Sequence, residues 1–439
     1  MNLRELRVFR LFDHFDHIVK INNEEKITIL TAPNGYGKTV LLKIIDAIFN
    51  ANYRFLLSLD FSYIEARFDA AILKISRSGE KKAYILEFSI AGDADKRYTY
   101  DPSENKEYIG ELPMVEIDRF APWLDRVGAR EWHDETTGRI LDIEDVIQLY
   151  GDDLPFQTPT IKKLMPDWLS EITKSVNIHL IQDQRLILRS GFHKTRQRKA
   201  RVIDTIEKYA DELAVEIKRK SVDSSEISQK LDSSFPSRLL QKIETFRTLS
   251  IDELKEKLSD LKNIRERLSG HSLIASADYS QFVDLDEIKE EDTKVLTLYV
   301  NDAKEKLAVY EEMLQRIDLF TEILNEKRLA FKRVKIDREK GFVFITDKDK
   351  LLQLTQLSSG EQHEVVLLFE LIFRAKDNVL VLIDEPEISL HIVWQKEFLN
   401  DLKRIISLQN VSAIISTHSP QIIDNNWHLV VDLESGASK

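Results

Sequence analysis

One stretch limits the fold more than any other. Lys26-Ile-Thr-Ile-Leu-Thr31 is an apolar run rich in β-branched residues, and it passes directly into Ala32-Pro-Asn-Gly-Tyr-Gly-Lys-Thr39. Val40, Leu41, Ile44, Ile45 and Ile48 follow at the spacing of a helical face. A buried strand, a glycine-bearing turn and a helix, in that order, make a phosphate cradle. Glycine at Gly35 and Gly37 lets backbone N–H groups close around an anion. Lys38 reaches the outer phosphates of a nucleotide, and the Thr39 hydroxyl suits Mg2+. The helix start directs its positive dipole end at the same point. Ala32 stands where such loops usually begin with glycine, which is tolerable if its φ is negative.

Three further segments extend this chemistry. Val379-Leu-Val-Leu-Ile383 reads as a buried strand that delivers Asp384 and Glu385 to its carboxyl end, where ligands bind in parallel sheets. Asp384 is expected to hold Mg2+ through its water shell, and Glu385 to orient and deprotonate an attacking water. The plainer reading is a strand ending in an acidic turn. Leu357-Ser-Ser-Gly-Glu-Gln362 opens an apolar helix containing Val365, Leu368, Phe369 and Ile372. It is either a second anion site at a helix start or an ordinary cap. Ala413-Ile-Ile-Ser-Thr-His-Ser-Pro420 is a buried strand ending in Thr417 and His418. A histidine there either donates to a γ-phosphate or is structural.

Composition narrows the class. With 43% hydrophobic and 31% charged residues the chain is expected to be globular, and no apolar run reaches the roughly 18 residues of a membrane helix. Cysteine is absent, which excludes disulfides and thiolate metal sites. No apolar leader opens the chain, and these features together predict a cytoplasmic protein without a membrane segment. The net charge of −12 weighs against nucleic acid as the main ligand.

The pattern along the chain changes twice. Short strands are expected over residues 1–30 and 60–100, with Tyr84–Ile90 the clearest, and Val176–Ile181 reads as another buried strand. Residues 101–170, broken by six prolines, resist ordering. From about 203 to 330, Lys and Glu dominate at helical spacing. A heptad pattern runs over 293–331 through Leu296, Val300, Ala303, Leu307, Tyr310, Leu314, Ile317 and Leu324, with a helical bundle or short antiparallel hairpin favoured over one long arm. Lys332–Ile336 and Phe342–Ile345 around Gly341 predict a hairpin. These shifts divide the chain into lobes at 1–190 and 331–439 and a helical insertion at 191–330.

The order of phosphate loop, LSSGE, DEPE-x-SLH and STHSP resembles the ABC-type ATPase heads of the SMC, RecF and OLD families. In wording, APNGYGKT and DEPEISLH are most similar to the AAA_15/AAA_21-type ATPases of prokaryotic antiphage systems, the PARIS-type ATPase subunits above all. The resemblance implies an α/β fold. It would be an ABC ATPase head, with a mixed sheet, a phosphate-binding loop and an antiparallel β subdomain, split by a helical, coiled-coil-like insertion. It implies ATP and Mg2+ as cofactors, with ATP sandwiched between two heads. Asn34, Gly35, Gly37, Lys38, Thr39 and Val40 would hold the nucleotide in one head. Ser359, Gly360 and Glu361 would complete the site from the other. Glu385 and His418 would act on the γ-phosphate, and Thr39 and Asp384 would hold the metal. A Q-loop glutamine would join both groups. Leu180-Ile-Gln-Asp-Gln-Arg-Leu186 offers Gln184, favoured over Gln182 because Gln-Arg-Leu carries the likeness. Ser389, Leu390 and His391 fall where such heads place the seam-spanning D-loop.

The resemblance further implies a homo-oligomer of at least two copies, with a hexamer as the larger expectation. The 21 residues after His418 are too few for the nuclease domain of OLD proteins, so a separate effector protein and a phage-protein trigger are expected. The alternative is a DNA-repair or chromosome-maintenance ATPase of the RecF/SMC kind. A third reading is a nucleotide-locked scaffold that hydrolyses little. Lys194, Arg196, Arg198, Lys199 and Arg201 could touch DNA phosphates, dock an acidic partner, or form a solvated loop.

Overall fold

The computed structural model describes residues 2–79, 84–101, 124–128, 131–134, 140–142, 146, 165–182, 187–189, 202–240, 248–275, 288–326, 329, 331–375, 378–388 and 390–434. Gln184, Ser389 and the basic run from Lys194 to Arg201 lie outside these residues. The chain divides into two compact units, one formed by Met1–Asp204 with Phe373–Lys439 and the other by Thr205–Ile372.

The first unit begins with β1 (Leu3–Leu11), β2 (Phe15–Lys20) and β3 (Ile27–Thr31), then α1 (Lys38–Asn50) and α2 (Tyr53–Ser58). Next come β4 (Tyr63–Phe68), β5 (Ile72–Ser78), β6 (Ile85–Ile90) and β7 (Asp93–Tyr100). Short strands β8 (Leu124–Arg126), β9 (Glu131–Asp134) and β10 (Ile140–Asp142) precede α3 (Asp167–Ser175) and β11 (Asn177–Ile181). An antiparallel pair, β12 (Ile187–Arg189) and β13 (Val202–Asp204), ends this part.

The second unit holds α4 (Thr205–Leu240), α5 (Ile251–Gly270), α6 (Thr293–Ala308) and α7 (Glu311–Asn325). It continues with β14 (Lys332–Asp337), β15 (Gly341–Thr346), β16 (Leu351–Leu352) and α8 (Ser359–Phe369). The chain then returns to the first unit with β17 (Val379–Asp384), α9 (Ile392–Leu408), β18 (Ser412–Ser416), α10 (Pro420–Ile423) and β19 (Val430–Asp432).

Two sheets dominate the first unit. One is antiparallel, in the order β2-β1-β4-β5-β6-β7. Its strands alternate buried and half-buried side chains, as in Ile64, Ala66 and Phe68 against Tyr63, Glu65 and Arg67, so one face meets the core. The other sheet is parallel, in the order β11-β17-β18-β3-β19. Its interior strand β17, Val-Leu-Val-Leu-Ile-Asp, is buried at every position, the pattern of a strand covered on both faces. Leu41, Leu42, Ile44, Ile45, Ala47, Ile48 and Phe49 bury α1 in a core shared with Leu6 and Val8 of β1, Ile64 of β4, Leu380 and Leu382 of β17, and Ile414 of β18. The helix that follows the phosphate loop is thus clamped by both sheets.

In the second unit the heptad repeat spans two helices, because the chain turns between Ala308 and Glu311. Val300, Ala303, Tyr310, Leu314, Ile317 and Leu324 are buried, while Phe331 lies beyond the helix and is 81% exposed. The period continues through the break, so the seam belongs to a local bundle. Val300 and Ala303 pack on Leu254, Leu258 and Leu261 of α5. Arg238 of α4 grips Asp302 of α6 with both terminal nitrogens at 2.6 and 2.7 Å. At Gly341 a Cβ would lie 1.9 Å from the Ala210 carbonyl oxygen, and φ is +74°, so only glycine lets β15 approach α4 this closely.

Candidate active site

Parallel register brings three chemical groups to one edge. Asp384 of β17 pairs with Ser416 of β18, and Ser416 pairs with Leu30 of β3. Beyond these positions, Glu385 N donates to Ser416 O at 3.0 Å and Thr417 N donates to Leu30 O at 3.1 Å. The acidic turn, the His418 turn and the loop before α1 therefore leave neighbouring strand ends side by side.

The loop has the backbone expected of an anion cradle. Gly35 and Gly37 hold φ of +90° and +83°, and Ala32 is not left-handed. The positive φ is what calls for glycine at Gly37, and a Cβ there would sit tightly, 3.3 Å from the Leu11 side chain. Gly37 caps α1 with no side-chain hydrogen bond to the helix's first N–H groups. Asn34 and Gly35 are exposed, and Val40 packs half-buried against the core.

Lys38 is the hub. Its side chain is only 5% exposed, and its Nζ donates to Ala32 O at 3.2 Å. The same nitrogen lies 3.6 Å from Glu385 Oε1 and contacts the His418 ring. Burial pulls the Lys38 ammonium below its ordinary pKa, against the charges of Glu385, Glu387 and Asp384. Burial, reinforced by the Glu387 carboxylate, pushes Glu385 up to about 8, with Lys38 opposing. Burial and then Lys38 lower His418. Glu385 Oε1 lies 3.3 Å from His418 Nε2. Glu385 also carries a φ of +43°, an unfavourable conformation for a residue with a Cβ, at the point where its carboxylate faces Lys38.

Thr39 and Asp384 form a second cluster. Thr39 Oγ1 donates to Asp384 Oδ1 at 3.0 Å, and Ser416 Oγ donates to the same oxygen. Asp384 is buried. An all-oxygen pair beside a buried lysine fits a hard cation shared with phosphate. The structure thus brings together Lys38, Thr39, Asp384, Glu385 and His418. Gln182 is described and exposed, directly after β11. In the seam segment, Leu390 is buried and exposed His391 caps α9 by accepting from Val393 N at 3.4 Å.

The helix start at α8 is built differently. Ser358, not Ser359, is its capping residue, and it forms a reciprocal box with Glu361. Lys332 donates to both Glu361 oxygens at 2.7 and 2.8 Å. Burial alone would raise the Glu361 carboxyl, but Lys332 and Ser358 hold it below the usual range. Ser359 is exposed at the first helical position, followed by half-buried Gly360.

Glu387 carries no role in the sequence reading, yet its Oε1 accepts from Thr417 Oγ1 at 2.7 Å, His418 N at 2.6 Å and Ser419 N at 3.1 Å. Its only signal was the second glutamate of DEPE. Its partners follow from strand register, which local sequence does not show.

No match was found among curated proteins. Among solved structures, the chain is similar to the Smc head domain with an extended coiled coil bound to the C-terminal domain of ScpA, derived from Pyrococcus furiosus. Identity is 12% and the TM-score 0.38, covering 100% of this chain and 95% of that one. A second similar structure is the Smc head bound to the C-terminal winged-helix domain of ScpA, at 9% identity and a TM-score of 0.35, covering 97% and 92%. The family match is broader in kind. Over residues 1–423 the chain matches the AAA ATPase domain family, and it belongs to that family.

Proposed function

We propose that this AAA ATPase hydrolyses ATP with Mg2+ at a site shared by two copies. We further propose that it serves as the sensor and scaffold subunit of a prokaryotic antiphage system, akin to the PARIS ATPase subunit and controlling a separate effector. The observation that carries the catalytic part is the convergence of Lys38, Thr39, Asp384, Glu385 and His418 on one sheet edge. Asn34, Gly35 and Gly37 wrap the phosphates with backbone N–H groups, and Lys38 neutralises the β and γ phosphates. Thr39 and Asp384 would hold Mg2+, with Gln184 completing the set. Bound there, the ion would offset phosphate charge. Glu385 orients the attacking water and takes its proton, and His418 donates to the γ-phosphate.

The second copy supplies Ser359, Gly360 and the first N–H groups of α8, which aim a helix start at the γ-phosphate. Exposed apolar side chains at Ile388, Ile392 and Val393 flank the seam segment, as a self-association surface would require. The defence role rests on the wording of the motifs.

Steady-state turnover tests the catalytic part. The protein should release phosphate from ATP, and chelation of divalent cations should abolish release while Mg2+ restores it. No turnover with tight ATP binding would favour the nucleotide-locked scaffold. The chromosome-maintenance reading uses the same site and differs in its ligand. It predicts duplex DNA binding that weakens steeply between about 50 and 200 mM salt, whereas the defence reading predicts co-purification of one effector from the native host.

A further inference from the structure

One side chain beside the Glu385 carboxyl joins the ends of β17 and β18. Glu387 directs a single oxygen at donors on three successive residues, Thr417, His418 and Ser419. Its other oxygen is buried without a hydrogen-bond partner. Charge-assisted bonds converging on one oxygen fix both the carboxylate and the backbone that supplies them.

A second tie runs beside the first. Gln395, in the first turn of α9, donates Nε2 to Leu390 O at 3.0 Å and Glu387 O at 3.4 Å. Its Oε1 accepts from Ser419 Oγ at 2.7 Å. Glu387 and Leu390 are therefore tied to residues 417–419 in two ways. Between those ties stands His418, whose ring is partly exposed and whose own N–H is held by Glu387.

We propose that Glu387 and Gln395 are positioning residues, a two-armed clamp that sets the His418 ring against Lys38 and Glu385 and transmits any shift of Glu387 or Leu390 to that ring. The inference rests on the ATPase site proposed above and adds to it a route from the seam to the γ-phosphate side. It also separates the duties of the two glutamates: Glu385 faces the reacting atoms, and Glu387 holds the residue opposite.

The test compares ATP turnover and ATP affinity in Glu387→Ala, Glu387→Gln and Gln395→Ala, each alone and with His418→Ala. Glu387→Ala should lower kcat by about 10²-fold, the scale of losing one oriented donor. Its ATP affinity by calorimetry should stay within about threefold, because the Lys38 loop is untouched. Glu387→Gln keeps an oxygen that accepts from all three donors, so it should recover most of the loss. In the His418→Ala background Gln395→Ala should add little, since it acts through the same ring. Glu387→Ala also removes the carboxylate that raises Glu385, so what it adds there should appear as a shifted pH profile and fall well short of full additivity.

Wild-type turnover in Glu387→Ala would overturn the clamp. So would a Gln variant as inactive as the Ala variant, or full additivity with His418→Ala. If Glu387→Ala does not fold, Gln395→Ala carries the same non-additivity test. A wild-type protein that neither binds nor hydrolyses ATP would instead refute the site itself, and the clamp with it.

Discussion

The turns before α1 and α8 look alike in sequence, each placing small residues at a helix start, yet their chemistry is opposite. The first is open. Gly37 offers no side-chain cap, and Lys38 is buried among carboxylates and a histidine. The second is closed on itself. Ser358 and Glu361 cap each other's backbone, and Lys332 neutralises the glutamate. An open turn depends on an outside anion to satisfy its donors, whereas a closed one is stable alone and can present Ser359 and Gly360 to something else. That contrast is the physical basis for assigning binding to one turn and completion in trans to the other.

The largest expected effect breaks the open turn. Lys38→Ala should weaken ATP binding at least about 30-fold, since truncating one partner of a buried charge pair costs roughly 2–5 kcal/mol. Calorimetry with ATP and Mg2+ decides it, and unchanged affinity would remove the cradle assignment.

Glu385→Gln should spare affinity and cut turnover by about 10²–10⁴, the range for losing a general base. Its amide cannot take a proton from water, so ATP should remain bound unhydrolysed. Normal turnover would place the base elsewhere.

The smallest effect probes the closed turn. Glu361→Ala should leave ATP affinity at the Lys38 loop of the same chain unchanged and destabilise the fold by about 1 kcal/mol, as lost caps do. The Glu361 pKa is lowered in the folded state, so its contribution is present above the ordinary glutamate pKa and fades as pH falls through the folded value. Urea unfolding of wild type and variant should therefore differ at neutral pH and converge only once the pH falls below the lowered folded-state pKa of Glu361. A gap that persists in acid would mean that the carboxylate charge is not what stabilises the turn.

Local chemistry made much of this legible. The strand before the loop, the strand bearing Asp384 and the hairpin around Gly341 each announce themselves within ten residues. Long-range chemistry did not. Glu387 acquires its three donors only because β17 and β18 pair in parallel with Asp384 opposite Ser416. The turn at Val309 and Tyr310 is invisible to a heptad count, because apolar residues keep their period through it. The Ser358 cap was hidden by its neighbour, since two adjacent serines are equally good caps until the backbone chooses one. The sequence marks Gly341 as a turn residue, while its tighter constraint is the Ala210 carbonyl against it.

Mixing two inactive variants tests most directly whether the open and closed turns serve one site from two copies. Ser359→Arg puts a bulky cation at the start of α8 and leaves the Lys38 loop of its own chain able to bind ATP. Lys38→Ala destroys that loop and leaves Ser359 intact. Each alone should be inactive in turnover. In a mixed dimer one composite site combines an intact loop with an intact helix start, so part of the wild-type ATPase rate should return on mixing. Mixed assemblies, verified by two affinity tags, that stay inactive would contradict the shared-site account, as would full activity in Ser359→Arg alone.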